Sequence, residues 1–465
     1  MKKIIFFLKD DYYYKYFKND LIKKISAENK LLILTGDKKN QKILSQKNIK
    51  TFSYKSNRIN DVWIMRAIYI GLKNRKKNIK NFEFAFNLRY PTLKTYLRQF
   101  KDSNSISIIK ILKIFLKRNI FLLLSKNLFF KIFKILFKLI IIPEKNLVEI
   151  FNKFEPELLI YPTHGAEPEF YKILKICKKQ KIKSLLIIDN WDNLTSHSFF
   201  YIKPDFLTVW GEQTKNHAIQ FHNFTNKQVY KFGNPKFNNY LKLTNIKLKN
   251  EYDFKYIMFL GSFANWNEVD CVIRLNEIIN NNNLKIKIVY RPHPSLYLNK
   301  DKIYNYIDNN KNSKNNIILD KTVKNNKENL SSNVSNLTDK SRQYIEPENY
   351  FESLIQNSEL CIGTLSTITI ESLIFRKKFM IIAHSQKNNE FNPENIYNFA
   401  EYAKGLENIE YIKVSRKSNY FEKDFLDFFN SIVIDNNNIT SKINYFYDSN
   451  NINSYENIKN MISKI

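Results

Sequence analysis

The sequence predicts an α/β protein made of two doubly wound, Rossmann-like domains facing a cleft. Three observations carry that prediction. Short, continuous apolar runs recur, and helix-like stretches separate them, which is the pattern of parallel strands buried on both faces. The series stops and then starts again past residue 254. At 465 residues the chain is also too long for one ordinary hydrophobic core.

The first series opens with KIIFFL (3–8), a helical stretch near 11–28, KLLILTG (30–36), a short helix, and IKTFSY (49–54). It resumes with ELLIYP (157–162), a helix over 167–180, KSLLIID (183–189), DFLTVWG (205–211), a helix over 212–222 and QVYKFG (228–233). Residues 1–245 are read as one domain, with 58–148 as a helical insert. Within the insert, 105–142 is apolar but carries lysines at helical spacing, Lys110, Lys113 and Lys117, then Lys131, Lys134 and Lys138. No window of about 20 residues is free of charge, so a membrane span is not expected. Two amphipathic helices are expected instead, packed on their own domain or lying on an anionic membrane surface.

Residues 241–254 read as a linker. The second series runs YIMFLG (256–261), a helix over 267–280, KIKIVYRP (285–292), IILD (317–320), a helix over 348–357, ELCIG (359–363), a helix over 366–375 and KFMIIA (378–383). Residues 321–342 are polar and read as a long loop. The second domain is placed at 255–420, and 421–465 is read as a helical tail.

Composition excludes several classes. The net charge of +31 suggests nucleic acid, but eleven arginines stand against 64 lysines, and arginine is the residue that forks bases and phosphates. The lysine excess accompanies an excess of Asn, Ile, Tyr and Phe, a bias of the whole chain, so no nucleic-acid partner is expected. The charge favours acidic partners such as nucleotides and anionic lipids. Only eight glycines are present, and neither the Walker nor the Rossmann glycine fingerprint occurs. Gly-x-Ser-x-Gly is absent, which argues against a serine hydrolase. Cys177, Cys271 and Cys361 are widely spaced in apolar surroundings and read as buried thiols of a reducing compartment. The opening residues read as a strand and not as a signal peptide, so a cytoplasmic location is expected.

Ligands of doubly wound sheets bind outside the carboxyl ends of the strands. In the second domain, Arg291 and His293 follow a strand between prolines, and both can bind phosphate. Thr364, Ser366 and Thr367 precede a helix that carries Glu371; they can form an anion site or a plain capping box. Gly261 and Ser262 follow the first strand and would let backbone approach a phosphate, or form a simple turn. In the first domain, Asp189, Trp191, Asp192 and Asn193 follow a strand. Either aspartate is a candidate base, Trp191 a sugar-stacking face and Asn193 a further acceptor contact. His164 and Glu167, at another strand exit, are the competing bases. No aspartate cluster suits a metal, and no metal or other cofactor is expected.

RPHP (291–294) followed by GTLST (363–367) and Glu371 resembles the nucleotide-binding half of GT-B fold glycosyltransferases of the bacterial surface-polysaccharide type, and of their relatives, the CDP-glycerol glycerophosphotransferases. The resemblance implies that His293, Ser366 and Thr367 bind the phosphates of a nucleotide-sugar donor, with Glu371 near the ribose. It also implies a saccharide or lipid-linked acceptor, as in capsule or lipopolysaccharide synthesis. The donor is then a substrate and not a cofactor, and the enzyme is of the metal-independent GT-B type. The expected location is cytoplasmic, peripheral at the inner face of the plasma membrane if the lysine-bearing helices of 105–142 lie on it rather than pack on their own domain. Two positions depart from the pattern. Thr364 stands where the glycerophosphotransferases carry an acid, and Phe379 stands where many retaining enzymes carry a second glutamate. A sugar-nucleotide 2-epimerase, a polyol-phosphate transferase and a non-catalytic scaffold for polysaccharide assembly remain as alternatives. Asp189–His197 similarly resembles a motif of uncharacterised surface-carbohydrate enzymes.

Overall fold

The computed structural model describes residues 1–8, 21–35, 50–53, 80–90, 92–93, 108–165, 167–196, 198–262, 266–293, 301–309, 315–323, 346–386, 391–448 and 453–465. The expected helical residues 11–20, the short helix after residue 36, most of 58–107 and residues 324–342 of the expected loop 321–342 lie outside these. The chain divides into two units. The first comprises Met1–Asn238, Ala400–Tyr402 and Asn444–Ile465, and the second Asn239–Phe399 and Ala403–Ile443.

The first unit contains β1 (Lys3–Leu8), α1 (Leu21–Glu28), β2 (Lys30–Thr35), β3 (Lys50–Ser53), α2 (Lys80–Arg89), α3 (Ile108–Leu124), α4 (Asn127–Ile140), α5 (Lys145–Phe154) and β4 (Leu158–Thr163). It continues with α6 (Pro168–Gln180), β5 (Lys183–Ile188), the single turn α7 (Asn193–Ser196), β6 (Phe206–Val209), α8 (Glu212–His222) and β7 (Val229–Lys231). The seven strands pair in parallel in the order β3-β2-β1-β4-β5-β6-β7. Both faces are covered, which is why the strands are apolar without alternation. On one face Ile5, Phe7 and Leu159 pack with Phe151, Phe170 and Leu174 of α5 and α6. On the other, Ile4, Phe6 and Ile160 pack with Leu21 and Ile25 of α1 and with the C-terminal segment. Each such side chain, fully buried, contributes about 1.5–3 kcal/mol.

The second unit contains α9 (Asn238–Leu243), which begins on the last residue of the first unit, then β8 (Tyr256–Leu260), α10 (Glu268–Asn281), β9 (Lys287–Arg291), α11 (Asp301–Asn309) and β10 (Ile317–Leu319). It continues with α12 (Tyr350–Asn357), β11 (Leu360–Gly363), α13 (Ile368–Ile374), β12 (Phe379–Ile382), α14 (Pro393–Phe399), β13 (Ile412–Ser415) and α15 (Phe421–Asn430). Its six strands are also all parallel, in the order β10-β9-β8-β11-β12-β13. The expected linker begins later than residue 241, because Leu241 and Leu243 of α9 are buried. The sequence pattern also did not announce α11, α14 or β13.

The last helices, α16 (Asn437–Phe446) and α17 (Ser454–Lys464), complete the chain. Tyr455, Ile458, Met461 and Ile462 of α17 join the α1 face of the first sheet. Lys2 Nζ donates to the Ile462 carbonyl at 2.8 Å, and Lys24 meets Glu456 at 2.5 Å. All three cysteines are buried free thiols.

Candidate functional site

In the second sheet the chain runs β8, β9, β10 toward one edge, then returns to place β11 on the other side of β8. The reversal of strand order lies between β8 and β11, where a doubly wound sheet opens its ligand crevice. Register brings Arg291, Leu260 and Gly363 side by side at the carboxyl ends of β9, β8 and β11. The three strings singled out in this half of the sequence therefore leave three adjacent strands at the switch point.

Their packing is close. The Gly261 N–H donates to the Arg291 carbonyl at 2.8 Å. A Cβ on Gly261 would stand 2.8 Å from Glu268 Oε1, from the His293 nitrogen and from Pro292 Cα. Glycine is required there because the β8 exit presses against the β9 exit; this close contact is with neighbouring protein and not with a ligand. A Cβ on Gly363 would likewise meet the Leu260 carbonyl at 2.8 Å. Glu268, fully buried at the start of α10, fastens the corner. Its carboxylate accepts from the Ser262 N–H at 3.2 Å and from the Tyr290 hydroxyl at 2.5 Å. Sequence reasoning missed Glu268, because an acid in a first helical turn is ordinary and its burial leaves no mark on the pattern.

Arg291 is engaged by acids. Its Nη1 donates to Asp320 Oδ2 at 2.9 Å and its Nη2 to Glu346 Oε2 at 2.8 Å, and its guanidinium lies 4.7 Å from the centre of the Phe351 ring. Burial alone would lower its pKa, but the Asp320 and Glu346 charges outweigh it and hold the pKa above its ordinary value. A phosphate fork from Arg291 would require releasing one of these carboxylates. His293 follows two residues later, half-buried.

On the β11 side, Thr364 is buried while Ser366 and Thr367 are half-buried. Thr367 is the N-cap of α13 and makes no side-chain cap bond, so the capping box does not form. The Glu371 carboxylate accepts instead from the Tyr240 hydroxyl at 3.4 Å.

At the β12 exit His384 Nε2 lies 3.0 Å from Ser415 Oγ, whose hydroxyl donates to Asp424 Oδ2 at 3.0 Å. With that hydroxyl proton directed at Asp424, the ring is assigned as the Nε2–H donor. Burial, and next the Arg274 charge, push the His384 pKa from 6.5 down to about 4. The folded state therefore disfavours the proton. Its stability is complete above pH 6.5 and falls by about 3 kcal/mol as pH drops toward 4. Melting curves across that window should steepen for the wild type relative to His384→Gln; parallel curves would refute the assignment.

In the first sheet the reversal lies between β1 and β4. Pro168 occupies the first turn of α6, which makes Glu167 its N-cap immediately after the β4 exit. Glu167 is buried, and the Thr163 hydroxyl donates to its Oε2 while accepting from the Gly165 N–H at 2.9 Å. His164 Nε2 lies 3.2 Å from Glu167 Oε1, and the imidazole is 28% exposed. The result is a partly exposed imidazole beside a buried carboxylate, with Nε2 turned to Glu167 and the other ring nitrogen, Nδ1, itself buried. That carboxylate and, first of all, burial push the Tyr171 hydroxyl well above its usual range.

The neighbouring β5 exit is braced. Asn234 Nδ2 donates to the Ile188 and Asp189 carbonyls at 3.2 and 2.7 Å. Asn193 Oδ1 accepts from the Asn190 N–H at 2.8 Å, and Asp192 Oδ2 accepts from Ser196 Oγ at 2.7 Å. Asn193 and Asp192 thus hold the turn. Trp191 is 2% exposed, with Tyr402 and Phe446 edge-on to it at 4.9 and 6.3 Å. A sugar could stack on Trp191 only if one of those rings moved. Among the described residues no group of His, Cys, Asp and Glu is arranged to hold a metal ion.

No protein-family model matches the chain, and no curated protein matches it. Solved structures do. The UDP-GlcNAc 2-epimerase from Methanocaldococcus jannaschii aligns with a TM-score of 0.53 and 11% identity, over 99% of this chain and 99% of its own. The UDP-GlcNAc 2-epimerase from Neisseria meningitidis, bound to UDP-GlcNAc, aligns with a TM-score of 0.50 and 12% identity, over 99% and 100%. A glycosyltransferase from Rickettsia africae aligns with a TM-score of 0.48 and 9% identity, over 98% and 96%. The chain has the tandem, doubly wound α/β architecture of the GT-B type.

Proposed function

We propose that the chain is a glycosyltransferase that moves a sugar from a nucleotide-activated donor to a hydroxyl of a saccharide or lipid-linked acceptor. The observation that carries this reading is the convergence of the Gly261–Ser262, Pro292–His293 and Thr364–Thr367 exits at the switch point of the second sheet. His293, Ser366 and Thr367 would donate to the donor phosphates and stabilise the charge that develops on the leaving nucleotide. Glu371 would accept from a ribose hydroxyl. Arg291 takes a positioning role, bracing the strand exit that carries His293. His164, backed by Glu167, is the preferred base for the acceptor hydroxyl, ahead of Asp189 and Asp192. No metal is needed in this scheme, so a chelator should leave the rate unchanged.

The fold likeness to two UDP-GlcNAc 2-epimerases favours a second reading, epimerisation of a nucleotide sugar. Release of free nucleotide that depends on an acceptor supports transfer; conversion of the donor to its epimer without acceptor supports epimerisation. A polyol-phosphate donor is the third, and Thr364 in place of an acid weighs against it.

The first test is thermal shift with CMP, CDP, UDP and GDP. Nucleotide at 100 times its Kd should add about 2.7 kcal/mol of stability. One base should raise the melting temperature of the wild type and fail to raise that of His293→Ala. Folded protein that responds to no nucleotide would overturn the donor site and leave a scaffold as the better reading.

A further inference from the structure

The hairpin of α3 and α4 presents an unusual surface. Of the twenty large apolar side chains exposed among the described residues, thirteen fall between Ile109 and Ile142. Soluble monomers rarely leave so many on one contiguous stretch. Successive helical residues turn by about 100°. Leu112, Leu116 and Ile120 therefore share one arc of α3, and Leu128, Ile135 and Leu139 share one arc of α4. Exposed lysines, Lys113 and Lys117 on α3 and Lys131 on α4, border those arcs.

The opposite faces are fixed to the first unit. Phe121 packs with Phe86 and Tyr90, and Phe137 packs edge-on to Tyr171 and Tyr201 at 6.0 and 4.8 Å. Arg118 turns inward and donates to Asn87 Oδ1 at 3.2 Å and to the Tyr90 carbonyl. The bare arcs are thus held outward by a packed inner face.

Charge identifies the occupant. Between Ser103 and Pro143 the sequence has seven lysines and one arginine and no acidic residue. A second copy of this surface would set lysine against lysine, whereas an anionic bilayer supplies both apolar depth and compensating charge. Lysine stems can lie along the acyl boundary while their ammonium groups stay at the headgroups. No helix among the described residues is long and apolar enough to cross a membrane. We propose that the α3–α4 hairpin is an interfacial docking surface that lays its apolar arcs into an anionic lipid leaflet. This stands independently of the transferase reading.

Co-sedimentation of the full chain with phosphatidylcholine vesicles, with and without phosphatidylglycerol, tests it. The wild type should pellet with the anionic vesicles and weaken as salt rises. Each lysine near an anionic surface is worth about fivefold in partitioning. Lys113→Glu with Lys117→Glu should therefore reduce binding at least ~25-fold, and Leu116→Ser with Leu139→Ser should abolish it. All four positions tolerate change if they face solvent, so circular dichroism and the nucleotide thermal shift should match the wild type. Wild-type protein that stays in the supernatant, or that binds neutral and anionic vesicles equally, would overturn the proposal. So would a dimer in sedimentation velocity that Leu116→Ser disrupts in protein that binds no vesicle, since a second copy would then cover the surface.

Discussion

Arg291→Met should destabilise the second unit by about 3–5 kcal/mol, because it leaves a buried acid without its cation. Asp320 is fully buried. Its Oδ1 accepts from the Thr322 N–H at 2.8 Å, the Thr322 hydroxyl at 2.7 Å and the Tyr350 hydroxyl at 3.2 Å, so the carboxylate cannot swing out to water when Arg291 is lost. Its charge, after burial, pushes the Tyr252 hydroxyl up to about 12. Methionine keeps much of the stem's volume and removes the fork together with the guanidinium's contact with the Phe351 ring. A drop in melting temperature of roughly 10 °C is expected for a unit of this size. Adding Asp320→Asn should recover part of it, because the uncompensated charge goes with the second change. Arg291→Lys should fall between, since one ammonium cannot reach both carboxylates as a planar fork does. A variant Arg291→Met that melts like the wild type yet no longer responds to nucleotide would contradict this and return the guanidinium to the phosphate.

That contrast marks what could be seen in the sequence. The strands with long apolar runs, KIIFFL, LLIYPT and YIMFL, were legible because burial on both faces removes polar residues from them. So was the hairpin, from lysines at helical spacing. β13, a four-residue IKVS, carries too few apolar residues to separate it from a loop. Strand exits were also legible, since histidine, aspartate and hydroxyl residues stand out after apolar runs. The partner of each was not. Nothing in RPHP says that Asp320 and Glu346 will reach Arg291, and nothing in DNWDN says that Tyr402 and Phe446 will edge up to Trp191. These contacts come from strand order and from chain returning over a long separation, which a local pattern does not encode. The Gly-Ser string illustrates the same limit. Its glycine is required, but by the His293 backbone beside it. Strand order also gives the site its coherence, because β11 had to lie against β8, and not beyond β10, for the three exits to meet.

His164→Ala should lower kcat by about 10²–10⁴-fold, the usual contribution of a positioned general base, and leave the nucleotide-induced thermal shift intact. The two readouts separate a catalytic loss from a donor-site loss, since the imidazole belongs to the first unit and the phosphate groups to the second. Added imidazole should restore part of the rate in His164→Ala, a rescue that repair of a folding defect would not produce. Glu167→Gln should cost less, about tenfold or more, because the amide keeps the volume and still meets Thr163 but no longer stabilises an imidazolium. As a positioning residue Glu167 should affect kcat more than KM. Asp192→Asn should change the rate little, because Asp192 already accepts from Ser196 and holds the α7 turn. Asp189 is the discriminating position. It leaves β5 directly beside the β4 exit, and its N–H lies 3.4 Å from the Thr163 carbonyl. A near-normal rate in His164→Ala together with a lost rate in Asp189→Asn would move the base one strand over. Because these exits adjoin, that outcome would shift the acceptor hydroxyl within one corner of the first sheet and leave the donor site in the second unit unchanged.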